Sequence, residues 1–566
     1  MRLISGTAVL AVLVVSCSPA EGGGEWGAFR QRFLDSYFEH NPTFAVYQGR
    51  HEFDGVLPDW SEAGIQATAD WLHEAQAEAE AIAADSLDQA ERLERQHVLA
   101  RIDGDLFWLE KAEWPWRNPT FYDLDPNVYL TRDYAPLTER MAAFTRWAHA
   151  VPNAARSIEA NLRAPLPRSY IDIGRIRYGG LASYLEHEVP AVFAEVSDTA
   201  LQAEFRAASA EAVAALRDLD AWLADQLPQA TEDYALGPDV FRAMLWDTER
   251  VDVSLEDLEA IGRADLARNR AALDSACAEY APGVGVLECT ARAAAHKPAD
   301  GPVAEARRQL ESLEQFIRAR DIVSIPGTER ALVEEAPPHM RSNGAYIDIP
   351  GPYEKGLPSI YYIAPPDPSW TAADQEAYIP SVGNLLFISV HEVWPGHFLQ
   401  FLHANRSPSI IGRVFVGYAF AEGWAHYTEE LMWDQGLGDG DPEIHIGQLG
   451  NALLRNVRLL SAIGLHTQGM SVAESERMFR DQAFQDPGNA RQQAARGTYD
   501  PAYLNYTMGK LMIKRLRRDW LAANPDATLK DFHDRFLSYG GPPIPLVRAA
   551  MMGGSEGGGG ATEALF

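Results

Sequence analysis

Two histidines, His391 and His397, lie six residues apart in Ser389-Val390-His391-Glu392-Val393-Trp394-Pro395-Gly396-His397-Phe398-Leu399-Gln400, and no straight helix can turn both toward one partner. Six residues of α-helix advance about 9 Å and rotate about 240°. The usual zinc-hydrolase pattern, H-E-x-x-H, keeps its histidines four apart on one helix face. Here Pro395 follows His391 by four residues, so it offers no N–H to the His391 carbonyl and its ring clashes there. The helix must open at this point. A two-residue excursion restores the four-residue phase, so the break falls where ligand geometry demands it. The same stretch, taken alone, also fits a kinked core helix with two buried histidines.

His-Glu occurs at His51-Glu52, His73-Glu74, His187-Glu188 and His391-Glu392, and only the last has a second histidine close behind. The other three read as solvated helix or loop. A zinc hydrolase also needs a third ligand from a second element, and glutamate is a common choice. Phe415 to Gln435, FVGYAFAEGWAHYTEELMWDQ, reads as that second helix. Glu422 sits there among aromatic and small residues, where an unpaired carboxylate is costly and a metal would satisfy it. His426, one turn on, shares its face as an outer partner of a ligand, a transition-state donor or an alternative ligand. Glu429 and Glu430 read as a solvated helical surface.

HEVWPGHFLQ followed by AEGWAHYTEEL resembles the bacterial family catalogued as domain of unknown function 885, which is placed among gluzincin-like metallopeptidases. NPTFAVYQGRHEFDGVLPDWS near the start and PAYLNYTMGKLMIKRLR near the end extend the resemblance along nearly the whole mature chain. The resemblance implies His391, His397 and Glu422 as ligands of one Zn²⁺ and Glu392 as general base. Relatives often carry a second histidine after the position of His397; this chain has Phe398, which removes an auxiliary group but no expected ligand.

In the closing segment, the Tyr506 hydroxyl is a candidate donor to a tetrahedral oxyanion, with core packing as its other role. Arg496 or Lys510 reads either as a holder of a substrate carboxylate or as a surface cation. Tyr361 and Tyr362 line the cleft or pack in the core.

The pattern elsewhere is mostly helical: three-to-four spacing runs through the segments 65–102, Met141–Leu162, Leu201–Leu227 and Leu255–Leu273. Strand patterns appear at Ala345–Ile349 and Ser359–Ile363, just before the motif. The expectation is a mainly α, two-lobed, metallopeptidase-like fold with a small sheet beside the active-site helix, in a single domain over 26–550. A Gly-rich tail, 551–566, is expected to be disordered.

Met1 to Ser16 carries a short positive start and an apolar run too short to span a bilayer, and Val14-Val15-Ser16-Cys17 resembles a lipobox. Residues 1–16 therefore read as a lipoprotein signal peptide, Cys17 as the lipidated residue and 17–25 as a tether. Ser18, where an aspartate would favour inner-membrane retention, leans toward the outer membrane. In an exported chain Cys277 and Cys289 are expected to pair, adding about 3 kcal/mol in the chain-entropy model. With 49 Lys+Arg against 80 Asp+Glu the net charge is −31, which argues against nucleic acid as a partner.

The sequence thus leads to an exported, lipid-anchored zinc metallopeptidase of short peptides, touching the membrane only through its N-terminal lipid. Two other classes remain: a tethered metal- or peptide-binding protein without catalysis, and a metallohydrolase of non-peptide amides or esters.

Overall fold

A computed structural model describes residues 24–337, 341, 344–553 and 562–566. The leader, Cys17 and the tether up to residue 23 lie outside the described residues. The helical segments appear as Glu62–Ala81, Gln89–Leu106, Leu137–Asn161, Thr199–Gln226 and Leu255–Tyr280. Side chains at their starts explain several boundaries: Ser61, Asp88, Asp198 and Ser254 each accept a backbone N–H of the first turn. Asp88 and Glu91 complete a reciprocal capping box. The long 65–102 pattern divides because the chain from Ile82 to Asp88 leaves the helix through extended residues and a short 3₁₀ turn.

Buried apolar side chains gather into three large cores. One lies within the Leu137–Asn161, Arg168–His187 and Thr199–Gln226 bundle. A second joins the N-terminal helices, through Phe33 and Tyr37, to Ile411 and Phe415. The third is the largest and contains Trp394, Phe398, Phe420 and Trp424, next to the motif residues.

A three-stranded sheet, in the order β1–β3–β2, stands beside the first motif helix. β1 is Ala331–Glu335, β2 is Ala345–Asp348 and β3 is Ser359–Ile363. β3 pairs parallel with β1 and antiparallel with β2, placing Val333, Tyr361 and Ile347 in one row. Tyr361 is fully buried in the largest core and Tyr362 packs on Tyr346, so both serve packing. β1 escaped the sequence reading because Glu334 and Glu335 interrupt its apolar pattern; pairing with β3 makes it a strand.

Cys277 and Cys289 are bridged, as expected, and both are buried. Each sits in a helix, Leu255–Tyr280 and Val286–Ala294, and the bridge clamps the Pro/Gly turn between them. The expectation of a disordered 551–566 tail fails at both ends. Met551 and Met552 close the Ile544–Met552 helix, while Thr562–Leu565 forms a helical turn against Asn505–Ala523. Leu565 enters the largest core, and Arg515 donates to the Phe566 carbonyl.

Two helices that bear on the site cross at glycines. A Cβ on Gly423 would lie 2.6 Å from the Gly509 Cα, and one on Gly509 would lie 2.3 Å from the Ala419 carbonyl oxygen. The Tyr418–Asp434 and Asn505–Ala523 helices therefore meet backbone to backbone, a separation only glycine permits. Gly423→Ala is expected to destabilise the metal-free protein by about 1–3 kcal/mol through overpacking. Gly180→Ala, in an exposed helix position with nothing within 4 Å of the added Cβ, is expected to be stabilising by about 0.5–1 kcal/mol. Urea denaturation of the two variants checks the contrast.

Candidate metal centre

The first motif helix, Val382–Glu392, starts at Ser381, whose hydroxyl accepts the Asn384 N–H at 3.3 Å. It stops one residue after His391, and a new helix, His397–Ala404, begins at the second histidine. Across the break, Gly396 N–H donates to Val390 O at 2.9 Å and Leu399 N–H to Val393 O at 3.3 Å. These bonds span six residues where a regular helix spans four, which is the two-residue excursion the sequence demanded. Gly396 is required there: a Cβ would lie 1.8 Å from the His391 carbonyl oxygen. Trp424 Nε1 donates to the Pro395 carbonyl at 2.8 Å, tying the break to the second motif helix, Tyr418–Asp434.

His391, His397 and Glu422 converge. Each offers a donor atom within 4.8 Å of the other two. Glu422 Oε2 is 3.2 Å from His391 Nε2 and 3.3 Å from His397 Nε2. Donors about 2.0–2.1 Å from a tetrahedral zinc lie about 3.3 Å apart, so the two measured edges fit the ion. The imidazole rings are nearly perpendicular, at 87°. Burial pushes Glu422 up, but the His397 charge and hydrogen bonds from both histidines prevail and hold it well below the usual carboxylate range. Burial likewise opposes charge on His391, yet its hydrogen bonds to Glu422 and Glu429 raise it to about 9.

Glu392 is half-buried beside these groups. Burial raises its pKa, and the charges of His391, His397, Glu422 and Arg455 all act on it. Among the described residues no hydrogen bond or ion pair engages its carboxylate.

Behind the ligands lies a shell that the sequence reading placed on the surface. Glu429 is fully buried and Glu430 nearly so, which corrects the expectation of a solvated face. Glu429 Oε1 accepts from His391 Nδ1–H at 2.7 Å and from Arg455 Nη2 at 3.1 Å. Its other oxygen is 3.3 Å from His426 Nδ1. Arg455 and the two histidines hold Glu429 well below the ordinary range despite burial. His426 itself is fully buried, and burial lowers it to about 3, so its ring is neutral. It stands outside the three-ligand group, as the partner of Glu429, and its Nε2 has no hydrogen-bond partner. The spacing of Glu422, His426 and Glu429, at i, i+4 and i+7, marks one helix face and was the signal available in the sequence.

Lys510 is neither a surface cation nor a free anion-binding group. It is fully buried and donates to Asp265 Oδ2 at 2.6 Å. Asp265 also accepts from Asn456 at 2.8 Å and Arg268 at 2.7 Å, and Arg268 and Lys514 both hold Glu430. Arg496 is ion-paired with Asp500 and donates to the Tyr418 hydroxyl at 3.0 Å. Tyr506 stacks on His391, with ring centroids 6.1 Å apart at 17°, and is 7% exposed. Tyr418, which the sequence reading passed over, packs edge-on against Tyr506 and also lines a cavity of about 400 Å³ with Glu249, Arg101 and Asn505. The remaining His-Glu pairs lie elsewhere; His51 is half-buried between Asp54 and Glu354.

A family model described as a bacterial protein of unknown function, DUF885, matches residues 42–551. A solved structure of a proposed lipoprotein of unknown function from Shewanella oneidensis superposes with a TM-score of 0.75 at 22% identity, covering 93% of this chain and 99% of that one. A proposed lipoprotein from Colwellia psychrerythraea superposes with a TM-score of 0.80 at 17% identity, covering 94% and 99%. Comparison with curated proteins returns no match.

The buried Asp265–Lys510 pair gives a stability prediction. Burial pushes Asp265 up, but Lys510 and Arg268 hold it far below the carboxylate range. Its stabilising effect is complete above the unfolded value of about 3.9 and fades as pH falls through the lower folded value. Asp265→Asn leaves Lys510 unpaired and is expected to cost about 3–5 kcal/mol near pH 7. The gap from the parent should narrow below about pH 4, as denaturant titrations across pH will register.

Proposed function

The chain belongs to the bacterial DUF885 family, and from that premise we propose that it is an exported, zinc-dependent hydrolase of peptide bonds in short peptides. The observation that carries this reading is the convergence of His391, His397 and Glu422 beside an unengaged Glu392. Two imidazoles and one carboxylate are the donor set of a catalytic zinc with one position left open. When bound, zinc supplies Lewis acidity: it polarises the scissile carbonyl and brings a water proton within reach of a neutral-pH base.

The residues of the chain do the rest. Glu429 accepts the hydrogen bond from His391 Nδ1–H, which fixes the tautomer that leaves Nε2 free for a metal. Arg455 keeps Glu429 charged, and neutral His426 orients its second oxygen. Glu392 accepts a proton from water at its carboxylate and returns it to the leaving amine. Its raised pKa suits a group that must hold that proton between the two steps. Tyr506, braced on His391, is the donor proposed for the developing oxyanion.

Short peptides are favoured over folded proteins because the candidate ligands are carried on helices and recessed, with His391 only 4% exposed. Export on a lipid anchor rests on the Val14-to-Cys17 pattern and on the lipoprotein descriptions of both structural neighbours. Among the described residues no helix is long and apolar enough to cross a membrane.

Glu392→Gln is expected to retain bound zinc, measured by elemental analysis, while hydrolysis of a mixed peptide library falls by about 10²–10⁴-fold. Cleavage at the parental rate would remove Glu392 from its role, and zinc without cleavage in the parent would favour a binding protein. Glu429→Gln is expected to weaken zinc affinity by about 10–100-fold, read by competition with a chromogenic chelator.

A further inference from the structure

The charges around Tyr506 do not balance. Arg455 and Arg458 lie 5.6 Å and 4.7 Å from its ring centroid, and Arg496 reaches the adjoining Tyr418 hydroxyl. Arg455 is matched by Glu429 and Arg496 by Asp500. Arg458 has no such match. Its Nε donates to the neutral Gln493 Oε1 at 2.8 Å, and among the described residues no carboxylate lies within ion-pair distance of it. Yet Arg458 is only 7% exposed. Burial and the nearby Arg496 pull its pKa below the ordinary arginine value.

A buried guanidinium without a counter-charge is a costly arrangement, and Gln493 prolongs it by fixing the group through Nε while both terminal nitrogens remain free. Those two nitrogens form a planar fork, the geometry that matches a carboxylate bidentately. The unmatched charge of Arg458 also repels an ammonium end. From Arg458 to the Tyr506 ring is 4.7 Å, and from that ring to His391 is 6.1 Å. The two steps together are no longer than about three residues of extended chain.

Resting on the peptidase reading above, we propose that Arg458 is the subsite for the C-terminal carboxylate of the substrate, so that cleavage removes one to a few residues from the C-terminal end. Gln493 is a positioning residue that presents the fork, and Tyr506 separates the carboxylate subsite from the metal ligands.

The test compares free-acid and carboxamide forms of one mixed tripeptide library lacking Asp and Glu, using zinc-loaded full-length protein. Binding is read on the Glu392→Gln variant by equilibrium ultrafiltration and mass spectrometry, and cleavage on the parent. The expected result is retention of free acids at least tenfold above their amides. Arg458→Met should abolish that preference with zinc content unchanged, while Arg458→Lys restores part of it. Equal retention of acids and amides by the Arg458-containing protein, or retention of neither, overturns the subsite without any appeal to a variant. A preference that survives in Arg458→Met also overturns it. A second library of carboxamides containing Asp or Glu separates the source of the carboxylate: retention equal to that of the free acids would move the group to a side chain and overturn the terminal assignment. Acid-selective binding lost in Arg458→Met, with no cleavage by the parent, would sustain the subsite and defeat the peptidase reading alone.

Discussion

One helix carries Glu422, Glu429 and Glu430 into the interior of the protein, and the surroundings are arranged to neutralise them. A carboxylate removed from water must find positive charge and hydrogen bonds or lose its own charge. Glu430 has Arg268, Lys510 and Lys514. Glu429 has Arg455 and two imidazoles. Among the described residues Glu422 has only His391 and His397. The gradient along the helix is informative: the two deeper carboxylates are matched by permanent cations, while the outermost is matched by groups whose charge depends on a proton. That is where a divalent ion can take over.

This arrangement explains why the convergence of His391, His397 and Glu422 was legible in the sequence and their supports were not. The break at Pro395-Gly396 follows from a proline without its N–H, and of the arrangements open to it the structure adopts the two-residue excursion, through bonds spanning six residues. Glu422 stood out because its neighbours are aromatic or small. Glu429 and Glu430 did not, since paired glutamates near the end of a helix usually face water, and the partners that bury them come from helices far away in the chain. Arg455 and Asp265 become meaningful only once Pro442–Thr467 meets Tyr418–Asp434 and Leu255–Tyr280 meets Asn505–Ala523. Long-range pairing of charges leaves no periodic trace.

The fold shows the same division. Helix bodies and two of the three strands follow from local pattern, and the Cys277–Cys289 bridge from proximity in the sequence. β1 and the docked C-terminal turn depend on tertiary partners, β3 in one case and the Asn505–Ala523 helix in the other. Lys510 illustrates the error most clearly: lysine is a surface residue by habit, and only a buried Asp265 reverses the habit.

The glycine crossing of Gly423 and Gly509 has a mechanical meaning. Glu422 immediately precedes one glycine and Tyr506 is less than one turn before the other, so the two side chains ride on two helices locked at their backbones. Neither can slide past the other without a steric collision. Any breathing motion of the interior must therefore hinge on elements outside this pair and leave the distance between Glu422 and Tyr506 unchanged.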